Sequence, residues 1–356
     1  MDEHTFATQT QKRLICRKNC ADMDTSERTR PRNLRLLFKG IGALLILLAA
    51  GILTLGIIEI YCFYLFSEGG RFYYKGFGFG SFMFANLTFQ ILGYYGIAAL
   101  AFILGYAHFT IRRWTQSLML ALLEVWLVVG LPMLATFFLI AVTAKELTLI
   151  AVIAIAILLA LAYFVLPFFV KRFYMSRTMT SMIEKNDPQI TRFSQVPIRT
   201  LSVSILLVFF AGMLHVPVLL NGVFPLFGTW LIGLQGISCL AGSIVLFLVL
   251  AWGIYQQYKW AWWGTMVWIL LLTTSMLLSF LRTNWLELLA IIGFPAYEID
   301  LLKAVPVTGW HLAILFGLPI MAIIFVISIS KKHLYTGLCD IAILLTEIFS
   351  PEIIIP

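Results

Sequence analysis

An all-α polytopic bundle of about eight membrane-spanning helices is the fold class this sequence predicts, on three observations. No Asp, Glu, Lys or Arg occurs from Leu149 to Val170 or from Thr200 to Tyr258, and the second stretch is too long for one crossing of a roughly 30 Å hydrocarbon core. Hydrophobic residues make up 61% of the chain and charged ones 12%, about half the charge of a typical soluble domain. The apolar stretches are apolar all round, without alternation. That pattern excludes a spanning barrel and leaves helices, which satisfy their backbone groups internally in lipid.

Residues 1–38 are polar and basic, so no cleaved secretory signal is expected there and the first span is expected to direct its own insertion. Spans are expected at Lys39 to Cys62, Phe84 to His108, Leu118 to Val142, Leu147 to Val170, Leu201 to Leu220, Thr229 to Trp252, Trp262 to Leu281 and Trp310 to Ser328. Each is close to the ~20 residues that a rise of 1.5 Å per residue requires. Glu68-Gly69-Gly70, Arg112-Arg113, Lys145-Glu146 and Asn221-Gly222 to Pro225 supply the turns. The transmembrane domain is thus 39–330, with a basic loop at 171–200, a loop at 282–309 on the opposite side, and a tail at 331–356.

Orientation follows from the basic residues. All but five of the 25 lysines and arginines fall on one side; the exceptions are Arg71, Lys75, Lys145, Arg282 and Lys303. Basic loops stay in the cytoplasm, so both termini are expected there, in the cell membrane. The 171–200 loop mixes basic residues with Phe173, Tyr174, Met175, Met179 and Met182. It reads as an amphipathic segment lying over anionic lipid headgroups. Asn284 to Ala304 reads as interfacial or re-entrant, and Leu334 to Phe349 as an interfacial helix or docking surface for a membrane partner, with Asp340 and Glu347 on one face. Phe77 to Gly80 reads as a flexible loop.

Gly105 to Trp114 resembles Gly253 to Trp260, and Lys171-Arg172 resembles Lys331-Lys332. Two readings stand: a parallel four-plus-four repeat, or chance likeness between apolar hairpins with basic turns.

Ionisable side chains inside a span cost roughly 2.5–3.5 kcal/mol at its centre on insertion scales, so they are where function is sought first. Glu59, His215, Gln235 and His311 fall toward the non-cytoplasmic ends of their spans, as do Asn86, Gln90, Thr273, Ser275 and Ser279. An outer-leaflet site built on Glu59 and His215, with Gln235 and His311, would relay protons or hold a cation or polar headgroup. The bland alternative is snorkelling by Glu59 and a helix-to-helix hydrogen bond from His215. Glu124 is the buried acid of the cytoplasmic half, with Tyr106 and His108 as expected neighbours across the Arg112-Arg113 turn. Ser238 with Gly242, and Gly236 with Ser243, predict faces of close helix approach.

The five cysteines form no CxxC, and there is no HExxH, nucleophile elbow or phosphate-binding glycine loop. Neither metal nor cofactor is expected. The net charge of +8 follows the topology signal and predicts the lipid bilayer, not nucleic acid, as partner. The reading favoured is a non-catalytic membrane subunit or an assembly or sensing module. The alternatives are a permease for a small solute, lipid or ion working through an outer polar cavity, and a membrane-embedded enzyme acting on a lipid-linked substrate.

Overall fold

The computed structural model describes residues 3–143, 148–303, 307–317, 319–321, 323, 324, 327 and 328, without the side chains of 3–32, 139, 140, 142, 143 and 301. The tail at 331–356, with Asp340 and Glu347, and the Lys145-Glu146 turn lie outside the described residues. Among the described residues, seven helices are long and apolar enough to cross a membrane. They are α1 (Glu3–Phe66, apolar from Asn33), α2 (Phe82–Phe109), α3 (Arg113–Thr143), α4 (Leu149–Tyr174), α6 (Ile198–Leu219), α7 (Gly233–Tyr255) and α8 (Lys259–Arg282). Between α4 and α6 lies α5 (Arg177–Asn186). After α8 come α9 (Trp285–Ile291), α10 (Ala296–Leu302) and the apolar α11 (Gly309–Met321). α11 stands where the eighth span is expected, and is shorter than the others over the described residues. The protein is therefore an integral membrane helix bundle.

Consecutive helices run antiparallel. Gly42 of α1 and Gly105 of α2 cross so closely that a Cβ on Gly42 would lie 2.8 Å from the Gly105 carbonyl. Phe63 at the far end of α1 meets Phe84 at the start of α2, rings 5.6 Å apart. Ser204 of α6 donates to the Ala251 carbonyl of α7 at 2.8 Å, and Gly253 of α7 lies against Ala261 of α8. In α4 the chain takes one π turn at Leu161–Val165, a device that leaves carbonyls off the usual ladder. Trp126 donates its Nε1–H to the Ala162 carbonyl there and stacks on Tyr163. No residue of Leu149–Ala160 is buried, an apolar surface that a bilayer covers and water would not.

One end of the bundle is basic and carries the turn at Arg112-Arg113, α5, and the α7–α8 junction. Here α5 buries Met179, Met182 and Ile183 in a cluster with Phe38, Ile111, Leu120 and Tyr174. Its apolar face is thus occupied by protein. Arg113 pairs with Glu184 at 3.1 Å and its backbone N–H reaches Asp187 at 3.0 Å. Gln116 donates to the Tyr174 carbonyl and to Thr180. His108 is fully buried; with Nδ1–H donating to the Leu104 carbonyl at 2.6 Å, Nε2 is left to accept the Tyr174 hydroxyl at 2.6 Å.

The other end carries the connecting loops and is called here the loop end. Between α6 and α7 the chain makes a two-stranded hairpin, β1 (Phe224–Leu226) and β2 (Thr229–Leu231), paired Phe224 with Leu231 and Leu226 with Thr229. The sixth span was expected to begin at Thr229; its helix begins at Gly233, because the preceding residues turn back on themselves. Both central residues, Phe227 and Gly228, have positive φ (43° and 102°), the pattern that lets a two-residue loop follow the strand twist. Phe at such a position is uncommon, and α8 holds it there. Phe227 N–H donates to Ser275 Oγ at 2.9 Å and Gly228 N–H to Ser279 Oγ at 3.1 Å. Ser275 and Ser279 in turn donate to the Pro225 and Thr229 carbonyls. Non-helical backbone at membrane depth survives only when protein satisfies it in this way.

The stretch expected as flexible at Phe77 to Gly80 is packed: Phe77 meets Phe63 and Phe84, and Gly80 N–H bonds the Leu219 carbonyl. Close approach on α7 also differs from expectation. Gly236 fits under the Gly222 carbonyl, 1.6 Å from where its Cβ would be, whereas nothing lies within 4 Å of Gly242 and Ser238 is exposed. Gly236 thus faces the hairpin loop, while Ser243, its expected companion, is buried and donates to the Cys239 carbonyl.

Candidate functional site

At the loop end the bundle encloses a cavity of about 620 Å³, within the roughly 300–1,000 Å³ range of small-molecule sites. α6 supplies Phe210 and Leu214, α7 supplies Leu240 and Phe247, and the hairpin supplies Val223 to Pro225. α8 presents Ile269, Leu272, Thr273, Met276 and Phe280, residues spaced by three and four and so on one face of the helix. Leu312 and Phe316 of α11 close the far wall, Phe316 stacking on Phe280 with rings 5.2 Å apart. Across the top lies α9, started by Asn284, whose Oδ1 accepts the Leu286 N–H, and presenting Trp285 and Leu288 inward, with Ile292 just beyond its end. The interfacial reading of Asn284 to Ala304 thus becomes two short helices laid over the bundle end.

The chemistry of this lining is nearly uniform. Among the described residues Thr273 is its sole hydroxyl, and that hydroxyl donates to the Ile269 carbonyl at 2.6 Å. Trp230 donates its indole N–H to Thr283 at 2.7 Å. Trp285 differs: its Nε1 is buried and has no hydrogen-bond partner among the described residues. Among the described residues, no ionisable side chain lines the cavity.

The polar residues that the sequence placed in this half are used in other ways. His215 is exposed and turns Nδ1 to the Ala211 and Gly212 carbonyls of its own helix, at 3.0 and 3.1 Å. His311 accepts the Thr308 N–H at 3.1 Å and bonds its hydroxyl at 2.8 Å, a local cap for α11. Gln90 donates to Asn86. Glu59 is half-buried and Gln235 exposed, each without a hydrogen bond or ion pair among the described residues. No hydrogen bond or ion pair joins Glu59, His215, Gln235 and His311 to one another.

Comparison of the chain with protein-family models, curated proteins and solved structures finds no match. The reading therefore rests on the geometry alone. At the basic end, Glu124 does not use Tyr106, which is exposed, or His108. It pairs with Lys171 at 2.7 Å and accepts the Ser202 hydroxyl at 2.8 Å. Among the described residues there is no cluster of three or more metal-ligating side chains.

At the loop rim, Tyr74 donates to Glu298 at 2.9 Å and Tyr297 to the same carboxylate oxygen at 3.0 Å, while Phe82 stacks on Phe294 with rings 4.5 Å apart. Burial, followed by the Glu298 carboxylate, pushes the Tyr74 phenol above its usual range. The hydrogen bond to Glu298 does the same first for Tyr297. The sequence reading expects a polar cavity in this half, and the one found is apolar. The period-three-and-four face of α8 was its signal, but a helix apolar on every side hides which face turns inward.

Proposed function

We propose that this protein is a non-catalytic integral membrane protein that shelters the apolar chain of a bilayer lipid in the loop-end cavity, as a sensing or assembly module. The observation that carries the reading is the lining: a cavity large enough for a ligand, bounded by aliphatic and aromatic side chains, with its single hydroxyl already bonded. A polar solute would lose its hydration there without replacement, whereas a hydrocarbon chain loses nothing. Access is lateral, since Met213 and Phe316 line the cavity and are also 38% and 44% exposed. In this reading the basic end faces the cytoplasm, with Arg172, Arg177 and Lys185 exposed near anionic headgroups of the cell membrane, and the loop end faces away.

The test is photolabelling of the purified, delipidated protein with a lipid carrying a diazirine in its acyl chain, followed by peptide mapping. Label concentrated in 210–225, 269–280 and 312–320, and reduced by the cavity-filling Met276→Trp, is the expected result. Label spread evenly over lipid-facing helices such as α4, and indifferent to Met276→Trp, would overturn the reading.

A further inference from the structure

Two backbone irregularities lie side by side in neighbouring helices. Pro132 sits inside α3 and has no N–H to give the carbonyl one turn back, so a bond that would stiffen the helix is missing. The Thr136 hydroxyl turns back on the Pro132 carbonyl at 2.8 Å, a contact that favours bending. The π turn of α4 at Leu161–Val165 breaks the ladder at the same level. There a Cβ on Gly130 would lie 2.7 Å from Tyr163 Cβ, and Trp126 stacks on Tyr163 and donates to the Ala162 carbonyl.

Packing differs on the two sides of this crossing. Toward the basic end, Lys171, Glu124 and Ser202 tie α4, α3 and α6 together, Gln116 holds the Tyr174 carbonyl, and Tyr174 itself is fully buried. Toward the loop end, none of residues 131–138 of α3 is buried, and none of Leu149–Ala160 or Leu161–Val165 of α4. These two half-helices pack on each other and otherwise present apolar side chains to lipid. A span held by neighbours takes its tilt from them; one without such neighbours tilts to match the hydrocarbon thickness.

We infer that the loop-end halves of α3 and α4 form a lipid-immersed arm that pivots at the Gly130–Tyr163 crossing, its tilt set by the thickness of the bilayer. The arm lies apart from the cavity and does not depend on what fills it.

Spin labels on introduced cysteines, with the five native ones replaced by serine, test this in nanodiscs of dimyristoyl- and dierucoylphosphatidylcholine. Labels at Ile150, Leu158 and Phe169 are each paired with one at Leu234 on α7, all exposed positions. A tilt change of about 20° moves the end of a ~20 Å arm by about 7 Å. The Ile150 distance is therefore expected to shift by about that much between the two bilayers, the Leu158 distance by less, and the Phe169 distance hardly at all. Pro132→Ala restores the missing N–H and should shrink the Ile150 shift. An Ile150 distance that is the same in both bilayers, or an equal shift at all three positions, would overturn the arm. An undiminished shift in Pro132→Ala would overturn the pivot at this crossing. Should that variant not fold, the gradient along α4 in the otherwise unaltered protein decides alone.

Discussion

Lys171 at the basic end of α4 reaches Glu124 on α3, Nζ to Oε1 2.7 Å, and Ser202 of α6 completes the carboxylate's shell at 2.8 Å. Three spans are tied at one point, with the side chains of Glu124 and Lys171 19% and 28% exposed. The two charges are not equivalent. Lys171 stands near a helix end, where a long side chain can swing its ammonium toward headgroups; Glu124 is anchored farther inside. Lys171→Met is expected to lower stability by about 2 kcal/mol, less than the ~3–5 of a fully buried pair broken on one side. Glu124→Gln, which keeps an acceptor for Ser202, should cost about half as much, and the double variant should recover part of the loss. Unfolding midpoints in detergent check this; equal losses in the two single variants would refute the asymmetry.

The serines of α8 hold a hairpin, not a solute. Ser275→Ala orphans the Phe227 N–H and the Pro225 carbonyl, and Ser279→Ala orphans the Gly228 N–H, the Ser279 hydroxyl being shared between the Thr229 carbonyl at 3.2 Å and the Ser275 carbonyl of its own helix at 2.9 Å. Each should cost about 1 kcal/mol and raise amide exchange within 224–231. Exchange unchanged there in the double variant would show that the hairpin stands without them.

Gly236→Ala should be strongly destabilising, because its Cβ would fall 1.6 Å from the Gly222 carbonyl and 2.9 Å from that of Leu231, both backbone atoms in a tight turn. Gly242→Ala, with open space around it, should be neutral or slightly stabilising through helix propensity. Expression level and thermal midpoint separate the two; similar behaviour would contradict the packing described.

Alkaline pH should loosen the loop-end clasp. The phenol of Tyr74 is raised in the folded protein, so the folded state holds that proton more tightly than the unfolded chain. The stabilisation is complete below the ordinary phenol value near ~10 and is lost as pH rises from there toward the folded value. In a tyrosinate absorbance titration Tyr74→Phe should remove one late-ionising phenol, and Glu298→Gln should bring Tyr74 back toward the ordinary range. A late phase of unaltered size in Tyr74→Phe would dismiss the contact.

The sequence by itself determined the class of the fold. Uninterrupted apolar length between charged turns follows from one physical fact, that a bilayer core admits neither unpaired backbone nor unpaired charge. These features are local, so the sites of the long helices and of their basic turns can be read by counting. What fills the spaces between the helices is not local. Ser275 and Ser279 look from the sequence like a polar bias in one leaflet, and only the returning chain at Phe227-Gly228 shows that they are straps for a hairpin. Across its own hairpin turn Glu124 has Tyr106 and His108 as plausible neighbours, yet it pairs with Lys171, 47 residues away. Met179 and Met182 look from the sequence like the exposed Met175, and only the packing shows that Phe38 and Tyr174 cover them. The cavity was the least visible feature, since Ile269, Leu272 and Met276 differ from their lipid-facing neighbours only in which way they point. In a membrane protein both the core and the surface are apolar, so hydrophobicity cannot tell inside from outside. That choice is made by how the helices pack.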